Sequence, residues 1–451
     1  MSGLSVENFE PIFEESIKNF KSYARGDLGS WAVEKKQRDW QGVLQSGLPD
    51  SKLERWKYTN LNPVTEVVYG PAPSIQVESI QNHSKLMRAF EWDAIRLVFA
   101  NGVYIPALSN SDAVPEGVVL CSISDLTMGT THELGDWKSE FLKSFEEDHT
   151  ELPLSQLNFS LSEDGYALVV PNGVHLEKPI HIMHMCLGES KSRWSVAPRN
   201  VVVMQKNSQA EIVESYLGST SSETSYFNAS LTTVNLGENA HLNFSRWIDE
   251  SETGFHYGSV VAKLNKNARL FAMNLSQGGQ FIRNDIRVDI CGEGAEAHVN
   301  GLFIAKKDQH IDNHSEIYHH SPQAMSRQLY KGILADKSRG VFNGKIQIEK
   351  EAQKTDSSQL NQNLLLSKKA EIDSKPELEV YADDVKANHG SASGPLDESE
   401  LFYFQSRAIS KGEAVRMIAK GFALDALYKQ PSRSSREFLI NQIDEGVWLN
   451  Q

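Results

Sequence analysis

The chain has 451 residues, a formal net charge of −14 at pH 7 and a sequence pI of about 5.5. This acidic balance argues against a general nucleic-acid binder and against a binder of anionic membranes, because both usually present basic surfaces. The mean hydropathy is −0.41 and no apolar run approaches the roughly 20 residues of a spanning helix, so we expect a soluble, cytoplasmic protein.

The N-terminal part is predicted to be helical. Its acidic start, MSGLSVENFEPIFEES, lacks the apolar core of a signal peptide and the arginines of a transit peptide. Apolar residues spaced three and four apart predict one face of a helix: Phe9, Ile12, Phe13, Ile17 and Phe20. A second helix is predicted for GSWAVEKKQRDWQGVLQSGLP, and the following segment, ERWKYTNL, is interpreted as an aromatic-anchored loop.

The pattern changes near residue 95. IRLVFANGVYIPAL predicts two short strands around an Asn101-Gly102 turn, and GDWKSEFLKSFEEDH predicts another helix. From about residue 156, short segments of alternating apolar and polar residues continue for some 250 residues; IRVDI and ELEVY are examples. This long region is therefore predicted to be mainly β.

A weak internal repeat runs through the β region. An alanine stands between a polar turn and a strand at intervals of 27 to 30 residues, and less regularly afterwards; these alanines are Ala210, Ala240, Ala268, Ala295, Ala352 and Ala370. Such a period is typical of stacked coils in a β-solenoid, with a long sandwich or a propeller as alternatives.

The C-terminal part is predicted to return to helix. SKGEAVRMIAKGFALDALYKQ begins at Ser410, and Glu413 completes the pattern of a capping box. Its broad apolar stripe includes Met417, Ile418 and Phe422. The stripe either packs on the protein's own core or binds a partner protein in part.

Motifs for catalysis are scarce. The sequence has no GxxxxGK[ST], GxSxG or HExxH, and Cys121, Cys186 and Cys291 form no CxxC, which argues against a disulfide framework and a thiolate zinc site. The densest polar cluster is DQHIDNHSEIYHH, residues 308–320. On a strand, His310, Asp312 and His314 would share one face and could bind zinc or iron, and a hydrogen-bonded polar face is the simpler alternative.

His389 is a second candidate. It lies in VKANHGSASG beside Gly390, and its imidazole could bind a metal, although the nearby sequence supplies only carboxylates as further ligands.

Three longer segments resemble the SufB/SufD family of iron–sulfur cluster assembly proteins. These are YKGILADKSRGVFNGKIQI, AQKTDSSQLNQNLLLSKKAEIDSKPELEVYADDVKANHG and LFYFQSRAISKGEA, and ERWKYTNL and VFANGVYIPALS are similar to the N-terminal part of the SufD branch. The resemblance implies a right-handed parallel β-helix core between helical domains. We therefore expect an N-terminal helical or mixed domain over residues 1–156, the β-helix over 157–405, and a C-terminal helical region that binds SufC over 406–451.

The resemblance also implies a role and partners. It implies a non-catalytic scaffold subunit of the SufBCD complex, pairing with SufB edge to edge through the β-helix and with the ATPase SufC through the C-terminal helices. His389 matches a family histidine at the SufB interface that handles iron or a nascent cluster, whereas many SufD relatives have a cysteine where this chain has Ala387. No permanent cofactor is expected in the isolated chain, and a reduced flavin is associated with the complex in some relatives. The alternatives are a metal-dependent enzyme or metal-binding β-solenoid that uses residues 308–320, and a homodimer that acts without SufB.

Overall fold

In the computed structural model, the described residues are 6–81, 84–128, 138–146, 154–188, 193–218 and 225–443. Within these ranges the helices are α1 Glu10–Tyr23, α2 Gly26–Ser46, α3 Asn62–Thr65, α4 Val77–Gln81, α5 Ser84–Phe90, α6 Ile123–Met128, α7 Lys138–Glu146, α8 Ser155–Leu161, α9 Glu398–Gln405, α10 Lys411–Leu427 and α11 Arg433–Asn441. Short 3₁₀ helices cover Val6–Phe9, Glu54–Trp56, Pro106–Leu108 and Ser111–Ala113. None of the helices in these ranges combines the length and the apolar character needed to cross a membrane.

The strands of the same ranges are β1 Ile95–Ala100, β2 Val103–Tyr104, β3 Val119–Ser122, β4 Tyr166–Val170, β5 Ile180–Cys186, β6 Trp194–Val196, β7 Arg199–Met204, β8 Gln209–Gly218, β9 Tyr226–Leu236, β10 His241–Glu250, β11 Phe255–Leu264, β12 Arg269–Gly278, β13 Phe281–Ile290, β14 Glu296–Ala305, β15 His310–His319, β16 Met325–Leu334, β17 Arg339–Ile348, β18 Asp356–Leu365, β19 Glu371–Val380 and β20 Lys386–Pro395.

The strands form two long sheets. Sheet 1 has the order β2-β1-β5-β8-β10-β12-β14-β16-β18-β20, and sheet 2 has the order β19-β17-β15-β13-β11-β9-β7-β4-β3. From β7 onward the chain alternates between the sheets, and from β9 onward each strand pairs in parallel with the strand two positions earlier. The structure therefore confirms a mainly β fold with a parallel β-solenoid of about seven turns between helical ends.

Five of the six predicted alanines lie at corners of this solenoid, whereas Ala210 is the second residue of β8 and pairs with Leu242 of β10. The six predicted alanines are all buried, and Ala324, which the sequence pattern did not reveal, occupies the corresponding place before β16. Just before β8, β10 and β12, Asn207, Asn239 and Asn267 adopt positive φ angles of 57°, 57° and 53°, a conformation that asparagine tolerates well. Their side-chain amides hydrogen-bond from turn to turn at 3.0 and 3.1 Å. The repeat thus reflects a stack of equivalent turns.

The space between the sheets is filled mainly by aliphatic and aromatic side chains, but it also encloses charged groups. Arg246 on β10 lies 3.5 Å from the Glu214 carboxylate, which also accepts a 2.8 Å hydrogen bond from Tyr166. Gly258 makes room for this guanidinium, because a Cβ there would lie 2.2 Å from Arg246 Nη2 and 2.6 Å from His256 Nε2. Glycine at this position is therefore required by packing rather than by backbone conformation.

The N-terminal part combines helices with strands of the solenoid. The predicted hairpin is confirmed, since β1 pairs antiparallel with β2 across Asn101 and Gly102, and both turn residues have positive φ. β1 also pairs in parallel with β5, and β3 pairs antiparallel with β4, so residues before 156 extend both sheets. The helix predicted in residues 135–149 is present as α7, and residues 135–137 and 147–149 lie outside the described residues.

The C-terminal helices cover the outer face of sheet 1. Apolar side chains on one side of α10 are fully buried with outward-facing residues of β10, β12 and β14; those of the helix are Ala419, Ala423, Ala426 and Leu427. Gln430 Nε2 donates a 2.7 Å hydrogen bond to Ser245 Oγ on β10. The helical region begins at α9, and residues 444–451 lie outside the described part of the chain.

Candidate functional site at the terminal edge of the solenoid

The 308–320 cluster lies beneath an N-terminal loop. The Trp56 loop, residues 54–61, packs on the outer face of sheet 2 over β13 and β15. Arg283 on β13 is fully buried, and its Nη1 donates hydrogen bonds of 2.9 Å to Asp312 Oδ2 and 2.9 Å to the backbone oxygen of Arg55. Its guanidinium carbon lies 3.7 Å from the centroid of the Trp56 ring. Thr59 completes the contact, because its hydroxyl donates to Asp312 Oδ2.

The predicted shared face of the cluster is present, and its polar groups are engaged with protein. His310 Nε2 lies 3.2 Å from Thr59 Oγ1, His314 Nε2 lies 3.0 Å from Asp312 Oδ1, and Glu316 pairs with Arg55 at 3.0 Å. His320 lies beyond the strand and contacts Asp289 at 3.0 Å. These contacts join the Trp56 loop to sheet 2.

The pKa shifts on this face are those expected for a buried contact in which Asp312 is paired with Arg283 and His314. Burial alone would raise the pKa of Asp312, but His314 and Arg283 outweigh it and hold that pKa well below its usual range. Burial lowers the pKa of His310, which keeps its imidazole neutral near pH 7. Among the described residues, no group of three or more His, Cys, Asp or Glu side chains is arranged to hold a metal ion. The contacts therefore favour the hydrogen-bonded polar face over a metal site for His310, Asp312 and His314.

His389 is exposed to solvent, in contrast to the buried side chains of the 308–320 cluster. It lies on β20, opposite Gln359 of β18. Side chains two residues away on either side face the space between the sheets: Ala387 packs against the core, and Ser391 Oγ lies 2.8 Å from Ser374 Oγ on β19. By the alternation of a strand, the imidazole shares this face at the rim of the solenoid.

The surroundings of His389 form what we call the terminal edge, which consists of β19 and β20. Within the described residues these are the last strands of sheet 2 and sheet 1, and their side chains are largely exposed or half-buried. An edge strand offers backbone N–H and C=O groups to a further strand. The terminal edge can therefore extend both sheets into a partner while presenting an imidazole at the junction.

The carboxylates that the sequence places near His389 are partly committed. Asp397 caps α9 by accepting hydrogen bonds of 2.7 Å from the backbone N–H and the hydroxyl of Ser399, and these bonds lower its pKa. Asp383 and Asp384 are exposed in the turn between β19 and β20. Since His389 belongs to no group of three or more His, Cys, Asp or Glu side chains that could hold a metal ion among the described residues, a metal there would need ligands beyond those that this part of the chain supplies.

The C-terminal helices present a second exposed surface. Met417 is 45% exposed and Ile418 is half-buried, whereas Phe422 packs toward sheet 1, with Lys331 Nζ 4.2 Å from its ring centroid. The neighbouring helix α9 adds Phe402 and Tyr403, which are 71% and 54% exposed. Sequence reasoning did not single out these two aromatic residues, although LFYFQ carried the signal.

Of the two hydrogen bonds of the predicted capping box at the start of α10, the structure has the one accepted by Ser410. Ser410 Oγ accepts a 3.2 Å hydrogen bond from the backbone N–H of Glu413. The carboxylate of Glu413 is engaged by Arg416. The helix therefore starts where the sequence predicts, with a simple N-cap.

The fold and the terminal edge define a class of protein: a β-solenoid protein whose two sheets end in exposed strands beside exposed helices. The family model described as "SUF system FeS cluster assembly, SufBD core domain" matches residues 187–422, and the "SufBD protein N-terminal region" model matches residues 29–182. The chain therefore belongs to the SufBD family of iron–sulfur cluster assembly proteins.

Individual relatives agree with this assignment. The chain is 31% identical to the iron–sulfur cluster assembly protein SufD of Escherichia coli (strain K12), over 86% of this chain and 87% of that protein. It is 29% identical to an iron–sulfur cluster assembly SufBD family protein of Synechocystis, over 91% and 90% of the two chains. It is 24% identical to the protein SufD of Bacillus subtilis, over 88% and 90%.

Proposed function

We propose that this protein is a non-catalytic scaffold subunit that pairs with SufB through the terminal edge and binds the ATPase SufC through its C-terminal helices. The observation that carries the proposal is the exposure of β19 and β20 at the end of both sheets, with His389 among them. Long exposed edges favour association with another chain unless they are covered. The expected localisation is the cytoplasm.

His389 contributes an imidazole to iron or a nascent cluster held between the two subunits. Iron accepts imidazole and thiolate ligands, and here the thiolates come from SufB. In this chain Cys121 and Cys186 are buried, and burial raises the pKa of both thiols, which disfavours the thiolate form. Cys291 is exposed but follows β13, several strands away from β20, and residue 387 is alanine. The cluster is cargo of the complex, and the flavin of some relatives has no assigned residues in this proposal.

SufC binds the exposed surface of α9 and α10. The exposed apolar area of this surface comes from Phe402, Tyr403 and Met417, beside the half-buried Ile418. Phe422 is on the side of α10 that packs against sheet 1. Exposed aromatic residues and methionine are enriched at protein interfaces. ATP hydrolysis resides in SufC, in keeping with the lack of a GxxxxGK[ST] motif in this sequence.

Co-purification with SufB and SufC tests the partnership. Association with both is expected, and a folded chain that associates with neither refutes the proposed role. Substitution Met417→Glu with Phe402→Glu should abolish SufC binding and leave SufB binding intact, because the two surfaces lie on different elements.

Reconstitution of the three-subunit complex tests the site. His389→Ala should lower cluster loading, measured by iron and sulfide content and by visible absorption, while the complex stays assembled. The matched control is His175→Ala, which removes an exposed histidine far from the terminal edge. Equal loading of the two variants and the wild type removes His389 from the mechanism.

A further inference from the structure

A groove of about 750 Å³ lies on the outer face of sheet 1, beside the C-terminal end of α10. On β10, β12, β14 and β16, the first two outward-facing side chains of each strand are exposed or half-buried, and the third is buried. The C-terminal helices therefore cover the later part of these strands, and Lys429 and Pro431 form one wall of the groove where α10 has ended. The volume is within the range of small-molecule sites in proteins, about 300–1,000 Å³.

The floor of the groove contains a row of planar side chains. Phe271 on β12, His298 on β14 and Arg327 on β16 are paired residues of neighbouring strands, so they stand side by side on the outer face. The Phe271 and His298 rings are inclined by 25°, with 5.8 Å between their centroids. Burial lowers the pKa of His298, which keeps its imidazole neutral near pH 7. A neutral, half-buried pair of rings favours a planar aromatic ligand, because such a ligand can stack on it.

A hydrogen-bond donor also faces the groove. Asn300 is 4% exposed, and its Oδ1 accepts a 3.1 Å hydrogen bond from the backbone N–H of Leu329. That bond fixes the orientation of the amide, and within the described part of the chain its Nδ2 has no hydrogen-bond partner. An amide in so enclosed a position gains from an acceptor atom that a ligand supplies.

The charge of the groove differs from that of the whole chain, which is −14. Its lining holds three cations and two carboxylates: Arg269, Arg327, Lys429, Glu296 and Asp425. The two carboxylates are already engaged, because Glu296 lies 3.4 Å from Arg269 and Asp425 lies 2.6 Å from Lys331. The groove is therefore a locally basic surface on an acidic protein.

Two of these cations are available to a ligand. Lys429 is exposed and forms no ion pair with any described residue. The side chain of Arg269 is 58% exposed, and a surface pair such as its contact with Glu296 contributes little to stability. An anionic group can therefore bind at either cation without first breaking a strong contact.

We propose that this groove binds a planar aromatic ligand that carries an anionic group and has about the size of a mononucleotide. The ring contacts Phe271 and His298, an acceptor atom on it accepts from Asn300 Nδ2, and the anionic group binds Lys429 or Arg269. This site is on the outer face of sheet 1, whereas the proposed SufB contact is made by β19 and β20. The proposal therefore stands or falls separately from the proposed function.

Binding of mononucleotides to the full chain tests the site. CMP, AMP and FMN carry rings of increasing size on the same kind of phosphate, and cytidine, adenosine and riboflavin are the matched ligands without it. Isothermal titration calorimetry should show that at least one of the three mononucleotides binds with a Kd of about 100 μM or tighter. The corresponding ligand without phosphate should bind at least about tenfold more weakly.

Variants of the chain locate the bound ligand. Phe271→Leu keeps the apolar volume but removes the ring, and Lys429→Gln removes the charge, so each should weaken binding about tenfold. The matched controls are Phe271→Tyr, which keeps the ring, and Lys368→Gln, which neutralises an exposed lysine between β18 and β19; both should bind like the wild type.

Three results would overturn the proposal. The first is the failure of all three mononucleotides to bind with a Kd below about 1 mM. The second is binding that neither Phe271→Leu nor Lys429→Gln weakens, because the ligand would then lie elsewhere. The third is equal affinity with and without the phosphate, which would deny the cations their role.

Discussion

Replacing Asp312 by asparagine tests whether the 308–320 cluster serves to anchor the Trp56 loop. Asparagine has nearly the same shape and can still accept from Thr59, but it removes the charge that Arg283 contacts at 2.9 Å. Arg283 is fully buried and would keep only Asp285, at 3.1 Å, as a charged partner. The substitution therefore leaves half of a buried ionic contact uncompensated.

The expected cost follows from this geometry. Removing one partner of a buried ion pair costs about 3–5 kcal/mol. Because Asp285 remains, we expect the lower end, about 3 kcal/mol, which corresponds to about a 150-fold change in an equilibrium constant. The loss should appear first in the Trp56 loop, whose attachment to sheet 2 runs through this carboxylate.

Hydrogen exchange of peptides covering the loop is the direct assay. The amides of Trp56 and Thr59 donate hydrogen bonds to the backbone oxygens of Leu53 and Trp56, and they should exchange about 150-fold faster in the variant if the loop detaches. The matched control is Asp308→Asn, the same change at an exposed residue before β15. Equal exchange in the two variants would show that the loop does not depend on Asp312.

The same variant has a defined pH dependence. The pKa of Asp312 is lower in the folded state than the ordinary value of about 3.9 expected when unfolded. Its stabilisation is therefore fully present above that ordinary value and is lost as the pH falls toward the folded pKa. Urea unfolding should show a larger difference between wild type and Asp312→Asn at about pH 5 than below about pH 4.

Three further predictions concern packing, capping and metal. Gly258→Ala should destabilise the protein by at least about 2 kcal/mol in urea unfolding, because the new Cβ would collide with buried groups. The control Gly421→Ala, in an open helical position, should be neutral or stabilising. Similar urea midpoints for the two variants would contradict the packing argument. Ser410→Ala should destabilise α10 by about 1 kcal/mol, measured as faster hydrogen exchange of the amides in the first turn of the helix. Unchanged exchange would show that the Ser410 side chain does not stabilise this helix end. The purified chain should have the same metal content before and after His310→Ala with His314→Ala; stoichiometric metal that these changes remove would restore the metal-site hypothesis.

The solenoid was predictable because its signal is local. A small residue at each corner and an alternating strand after it recur with the period of one turn, so Ala240 and Ala268 revealed the stacking without any knowledge of contacts. The asparagine ladder beside them follows the same logic, since Asn239 and Asn267 hold the same place in successive turns. The number of sheets and their order required the structure.

The candidate sites were predictable only in part. Strand alternation placed His310, Asp312 and His314 on one face, but whether that face met solvent, metal or protein depended on Thr59, more than 250 residues earlier in the chain. For His389 the residues alone gave a polar turn with one histidine, and its position on the terminal strand of a sheet depends on pairing with β18. Contacts between distant segments leave no periodic signal in either sequence segment.

The position of the terminal edge near the C-terminus has a consequence for biosynthesis. Each turn of the solenoid pairs with the turn made just before it, so the nascent chain can add turns in the order of translation on a template that is already folded. Strands β19 and β20 are therefore translated after the other described strands, once the core that supports them has been made, and the helices that cover sheet 1 follow directly. On a polysome that carries several nascent copies, few finished edge strands would be exposed at once, which limits edge-to-edge pairing between neighbouring nascent chains.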